Sequence, residues 1–211
     1  MPSVSKKMVE NAVTKTRYSS LKLLLRLPMP LYGWLFDPKR CIECRACESA
    51  CKQWNGVDTS VNVRYRRVKV VESGKYPQPV TVAVSMACNH CENALCVKVC
   101  PTHAMWRRDD GIVVVNQEAC IGCQLCARFC PYGAPQLNVT TGKTEKCHMC
   151  LDRVDEGLQP ACATVCPTEA LRWASWDKVR DQGSTVIPGY GPSSTSSPRY
   201  RVVTTGWGRK S

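Results

Sequence analysis

Apolar positions along this chain occur in short, interrupted runs, and no single period holds for long. Between Leu21 and Phe36 the leucines Leu21, Leu23, Leu24, Leu25 and Leu27 are broken by Lys22, Arg26, Pro28 and Pro30, and the two prolines exclude a long continuous helix there. Residues 61–71 alternate, with Val61, Val63 and Tyr65, then Val68 and Val70 after one break in register, and predict a strand. Ser73-Gly74 reads as a turn, Pro77 and Pro79 follow, and Val80 to Ser85 reads as the returning strand. A second hairpin is expected from Ala104–Arg108 and Ile112–Val115 around the turn Asp109-Asp110-Gly111. After Trp173 the periodicity fades, and residues 183–198, rich in Gly, Ser, Thr and Pro, read as an extended tail. No run of 18 apolar residues occurs, so no transmembrane segment is expected. No small-residue cleavage pattern follows the basic start, so no signal peptide is expected.

Composition changes this picture in two ways. The apolar fraction of 44% includes 16 cysteines in 211 residues, and falls to about 36% without them. With only two Phe, the chain is short of core material and calls for internal staples. The formal charge of +12 counts every cysteine as neutral. A cubane iron–sulfur cluster with four thiolates adds roughly −2, so four would bring the protein to about +4. Basicity is therefore a poor argument for nucleic acid, and no nucleic-acid partner is expected.

The cysteines form four quartets. Cys120, Cys123, Cys126 and Cys130 are spaced C-x2-C-x2-C-x3-C and followed by Pro131, the pattern in which three cysteines hold one cubane and the fourth reaches a second. Gly122 allows the sharp turn that brings the loop close. One helical turn from Cys126 carries Cys130 away from the other three, and Pro131 ends it. Cys41, Cys44, Cys47 and Cys51 repeat the spacing, with Lys52 in the proline's place. Cys88, Cys91, Cys96 and Cys100 precede Pro101, and Cys147, Cys150, Cys162 and Cys166 precede Pro167. Sixteen cysteines in four quartets with none left over point to four [4Fe–4S] clusters. Zinc competes, since CxxC pairs also bind it, but a triple C-x2-C-x2-C run is uneconomical for an ion with four ligands. Disulfides fit a shorter, exported chain.

These motifs, with the segments Ser85–Glu92, Asp110–Asn116, Cys130–Gln136 and Cys150–Gly157, resemble the four-cluster ferredoxin-like subunits of the dimethyl sulfoxide reductase family of molybdenum and tungsten enzymes. The likeness spans about residues 34–176. It implies an α+β, loop-rich fold of two nested ferredoxin-like units stapled by clusters. Residues 37–60 and 136–176 would form the outer half and 88–135 the inner half. A hairpin insertion would occupy 61–87, a basic arm 1–36, and a tail 177–211. The resemblance also implies the pairing of ligands. One cluster would take Cys41, Cys44, Cys47 and Cys166, the next Cys51, Cys147, Cys150 and Cys162. The third would take Cys88, Cys91, Cys96 and Cys130, and the fourth Cys100, Cys120, Cys123 and Cys126. Spacing alone supports only the exchange of the fourth cysteine.

By the same resemblance the partners are a molybdopterin catalytic subunit and an integral membrane quinol or quinone subunit. The chain would serve anaerobic respiration as an electron-transfer subunit, peripheral to the membrane and attached through its partners. The alternatives are a free polyferredoxin and the electron-transfer subunit of a hydrogenase. The arm reads as packed on the body or a partner, or as a basic amphipathic segment at a membrane surface. Lys52, Lys98, Arg45, Arg128 and Lys146 flank ligands and could raise their potentials or be solvated. His90 and His148 sit inside CxxC pairs and read as neighbours of the ligands; Trp34, Trp54, Trp106, Trp173 and Trp176 read as packing. No nucleophile–base pair and no phosphate loop occur, so no catalytic centre is expected.

Overall fold

The computed structural model describes residues 30–60, 62–191 and 195–203. The chain divides into Met1–Pro30 and Leu31–Ser211, and everything below concerns the second unit. The leucine patch of the arm lies outside the described residues. In chain order the elements are β1 (Tyr32–Phe36), α1 (Ala46–Trp54), β2 (Arg67–Lys75), β3 (Gln78–Met86), α2 (Leu95–Lys98), β4 (Met105–Arg107) and β5 (Val113–Val115). There follow α3 (Leu125–Phe129), β6 (Gln136–Asn138), β7 (Lys143–Glu145), α4 (Leu151–Asp155), α5 (Ala161–Thr164), β8 (Leu171–Ser175), α6 (Trp176–Val179) and β9 (Tyr200–Val202). This is an α+β fold of short elements joined by long irregular stretches. Among the described residues no helix is long and apolar enough to cross a membrane.

The central strand comes from the edge of the basic arm. β1 pairs antiparallel with β8, Phe36 opposite Leu171, and parallel with β9, Trp34 opposite Tyr200. Its side chains alternate. Trp34 and Phe36 enter the main core with Met86, Ile112, Tyr132 and Met149, while Leu35 packs on Trp176 and Val179 of α6. Burial on both faces explains why 32–36 reads as a continuous apolar run without alternation. α6 lies so close that a Cβ on Gly33 would meet the Trp176 ring at 2.4 Å.

β2 and β3 form the long hairpin in a different register from the one expected. Ser73 and Gly74 lie within the ladder, opposite Val80 and Pro79, and the turn is Tyr76-Pro77. Pro77 supplies the turn, and Gly74, at φ 86°, is absorbed as a kink in the strand. The start also shifts. Residues 62–66 are not strand, because Arg66 is drawn fully inside. β4 and β5 pair as expected around Asp109-Asp110-Gly111. The glycine- and serine-rich stretch expected as an extended tail includes Ile187 and Ser196, and the residues just after it include Arg199, Tyr200 and Val202, all of them buried.

Candidate functional site

Each C-x3-C unit is carried by a short helix. Cys47 and Cys51 lie in α1, Cys96 in α2 with Cys100 just beyond it, Cys126 in α3 with Cys130 at its end, and Cys162 in α5 with Cys166 just beyond. Residues four apart stack along one face, about one 5.4 Å turn from each other. Each helix therefore offers two thiols at successive heights. Before α3, Gly122 sits at φ 68°, and a Cβ there would lie 2.1 Å from the Gly142 carbonyl oxygen. The Cys120–Cys126 loop closes only with glycine at that point.

The thiols gather in four groups. Cys100, Cys120, Cys123 and Cys126 line one cavity with Met105, Val115 and Thr144. Cys88, Cys91, Cys96 and Cys130 line a second with Val113, Tyr132 and Ser196. Burial pushes the Cys51 thiol up, and Cys147, Cys162 and Cys150 add repulsion. Burial likewise raises Cys41, against a backbone hydrogen bond at Glu43, with Cys47, Cys166 and Cys44 adding repulsion. The groups also adjoin one another. Burial is the first cause of the raised thiols of Cys162, Cys147 and Cys96, the last two pushed up to about 12. Each also feels one cysteine of the next group: Cys47, Cys88 and Cys126 respectively. The four groups thus adjoin in the order Cys41, Cys51, Cys88 and Cys100. Cys44 is exposed in the group at one end and Cys123 in the group at the other, whereas no cysteine of the two middle groups is exposed.

Such a donor set fits an iron–sulfur cube. Sixteen thiols that repel one another when ionised need cationic iron to hold them as thiolates. The surroundings donate to sulfur. Met105 N–H reaches Cys100 Sγ and Leu171 N–H reaches Cys166 Sγ, both at 3.5 Å and both five residues on. Thr144 N–H reaches Cys120 Sγ at 3.4 Å, and Met149 N–H reaches Cys147 Sγ at 3.4 Å. Asn55 Nδ2 lies 3.7 Å from both Cys51 and Cys150 Sγ.

Of the flanking cations, Lys52, Lys98, Arg45 and Arg128 project toward solvent or are only partly covered. Lys146 is buried and donates to the Val113 and Cys147 carbonyls. His90 is buried, and burial depresses its pKa well below the ordinary value, so it is neutral. Its Nδ1 accepts from Val113 N–H at 3.0 Å, which leaves the proton on Nε2, 4.0 Å from Cys147 Sγ. His148 Nδ1 accepts from Leu151 N–H at 3.2 Å, and His103 is exposed. Trp34, Trp173 and Trp176 pack inside, whereas Trp54 and Trp106 are half exposed. Two contributions were not legible from sequence. Arg66 is a buried cation among the cysteines, and Ser196, from the tail, lines the cavity of Cys91.

Residues 80–175 match the family model of the 4Fe-4S dicluster domain, and residues 38–55 match that of a 4Fe-4S binding domain. The chain is 43% identical over 157 residues to the B subunit of the anaerobic dimethyl sulfoxide reductase of Escherichia coli, covering 71% of this chain and 76% of the relative. The chain belongs to the iron–sulfur subunit family of the dimethyl sulfoxide reductases. Other members share it at similar depth. The thiosulfate reductase electron transfer subunit PhsB of Salmonella typhi is 42% identical over 152 residues, 72% of this chain and 79% of the relative. The B subunit of the polysulfide reductase of Wolinella succinogenes is 38% identical over 160 residues, 74% and 82%. As a member of this iron–sulfur subunit family the chain is an electron-transfer subunit of a reductase complex, with [4Fe–4S] clusters as its cofactors. Its sixteen cysteines fit the count that four such clusters need.

Proposed function

We propose that this subunit relays single electrons between a molybdenum or tungsten catalytic subunit and a quinone-reactive membrane subunit, through four clusters held by the nested quartets. The ligand sets are Cys41, Cys44, Cys47 and Cys166; Cys51, Cys147, Cys150 and Cys162; Cys88, Cys91, Cys96 and Cys130; and Cys100, Cys120, Cys123 and Cys126. The observation that carries this reading is the succession of four adjoining thiol groups, with an exposed cysteine in the first and in the last. A carrier between two partners needs two accessible termini and a covered middle. The fold then reads as two ferredoxin-like halves, 37–60 with 136–176 outside and 88–135 inside, with the hairpin of 61–87 between motifs. Attachment to the membrane runs through the partners.

When bound, [4Fe–4S] clusters supply one-electron carriers whose potentials follow charge, hydrogen bonds to sulfur and exposure. The chain's own residues hold thiolates in place through the four helices, donate N–H groups to their sulfurs and exclude water from the middle groups. The relatives named above are subunits of reductases of dimethyl sulfoxide, thiosulfate and polysulfide, so the terminal acceptor is an oxidised sulfur compound taken up by the catalytic partner. The test is elemental analysis of the complex purified anaerobically by a tag on this chain. About 16 iron with one molybdenum or tungsten per copy is expected. Iron without either metal would point to a free polyferredoxin or a hydrogenase subunit, and zinc in place of iron would end the electron-transfer reading.

A further inference from the structure

Arg66 is the one cation enclosed between the Cys41 and Cys51 groups among the described residues. Its guanidinium is almost fully buried. The Cζ lies 4.4 Å over the Trp34 ring, and Nη1 donates to the Ser85 carbonyl at 3.2 Å and to Ser85 Oγ at 3.1 Å. Ser85 Oγ in turn sits 3.4 Å from Cys47 Sγ. Because Arg66 already donates to that oxygen, the hydroxyl is free to donate its own proton to the sulfur. Nε and Nη2 are buried with no close hydrogen-bond partner, the guanidinium's one further contact being the Cys162 thiol, and no carboxylate lies within ion-pair distance of it among the described residues. An isolated buried cation of this kind is strongly destabilising. What surrounds it instead is sulfur: burial works against the charge on Arg66, and the Cys162, Cys147 and Cys47 sulfurs favour it.

We infer that Arg66 is the internal counter-ion shared by the two clusters of the Cys41 and Cys51 quartets, raising the potential of both, with Ser85 passing its effect to Cys47. The inference rests on the ligand pairing proposed above. Its physical basis is charge. Reduction adds one negative charge to a cluster, and a fixed cation in a poorly solvated interior stabilises the reduced form more than the oxidised one. The guanidinium's contact with Cys162, a proposed ligand of the Cys51 quartet, places the charge at the sulfur itself.

The experiment is a redox titration of the anaerobically purified complex, followed by electron paramagnetic resonance, with iron counted on each sample. In Arg66→Gln two of the four potentials should fall, each by at least a tenfold drop in the reduced-to-oxidised ratio at fixed electrode potential, or about 59 mV for one electron. The other two should hold. Arg66→Lys, which keeps the charge, should restore most of the shift. Ser85→Ala should lower one potential only. Full iron with four unchanged potentials in Arg66→Gln overturns the inference while leaving the clusters in place. Should Arg66→Gln lose iron, Ser85→Ala decides, since an unchanged set of potentials there breaks the proposed link to Cys47. A wild-type complex without four titrating clusters instead overturns the ligand reading beneath it.

Discussion

A thiol buried among other thiols resists ionisation, and this chain buries seven of its sixteen. Backbone N–H groups at Met105, Thr144, Met149 and Leu171 aim at sulfur, which favours the thiolate over the thiol. The tightest local constraint is at Gly122, where a side chain would collide with the Gly142 carbonyl and the backbone is left-handed. Gly122→Ala should cost at least about 1–2 kcal/mol from conformation alone. It should yield protein with fewer than 16 iron per chain, as colorimetric iron analysis would show. The ligands and Gly122 were legible in the sequence because spacing and residue type carry them. Arg66 was not. It stands in Tyr65-Arg66-Arg67-Val68, where a second arginine and an alternating pattern suggest a surface strand. Only the fold shows that Arg67 reaches the Tyr132 carbonyl while Arg66 turns inward.

The elements show where local signals suffice. Cys100-Pro101-Thr102 and Cys166-Pro167-Thr168 each lead, five residues after the cysteine, to a strand whose first N–H returns to the sulfur. The internal repeat therefore encodes geometry as well as ligands. The long hairpin was found, but its turn lies at Tyr76-Pro77, three positions beyond the expected Ser73-Gly74, because cross-strand register overrode the nearest turn-forming pair. β9 was missed. Three residues in a Gly/Ser/Pro-rich context have too little period to declare a strand, and its pairing partner, β1, is over 160 positions away. The tail also meets the body at Glu92 and Asn93, whose N–H groups donate to Ser197 and Ser196. Removing everything after Gly191 should uncover the Cys91 cavity. With an iron chelator, about a quarter of the iron should then leave in a fast phase absent from the full chain.

At the scale of the molecule, the thin apolar supply makes metal and fold one event. Stripping the iron should abolish most far-ultraviolet dichroism and, by removing roughly eight negative charges, lengthen retention on a cation exchanger. Among the described residues, one ion pair joins the two proposed halves directly. Arg108, beside the β4–β5 turn, contacts Asp110 at 2.9 Å and Asp155 of α4 at 2.6 Å. Arg108→Ala should cost about 1–2 kcal/mol for this partly covered pair and shorten the half-life of the brown chromophore on heating. The three-stranded sheet bears on synthesis as well. Its middle strand is made first and both neighbours last, whereas the cysteines of the Cys88 cavity are complete once residue 130 has been translated. On the ribosome, then, the inner pocket can close while Trp34 and Phe36 still wait for β8 and Tyr200. Cofactor loading should run from the inside outward, and nascent chains long enough for Cys130 to have cleared the ribosome, but stalled before β8 has emerged, should already retain iron.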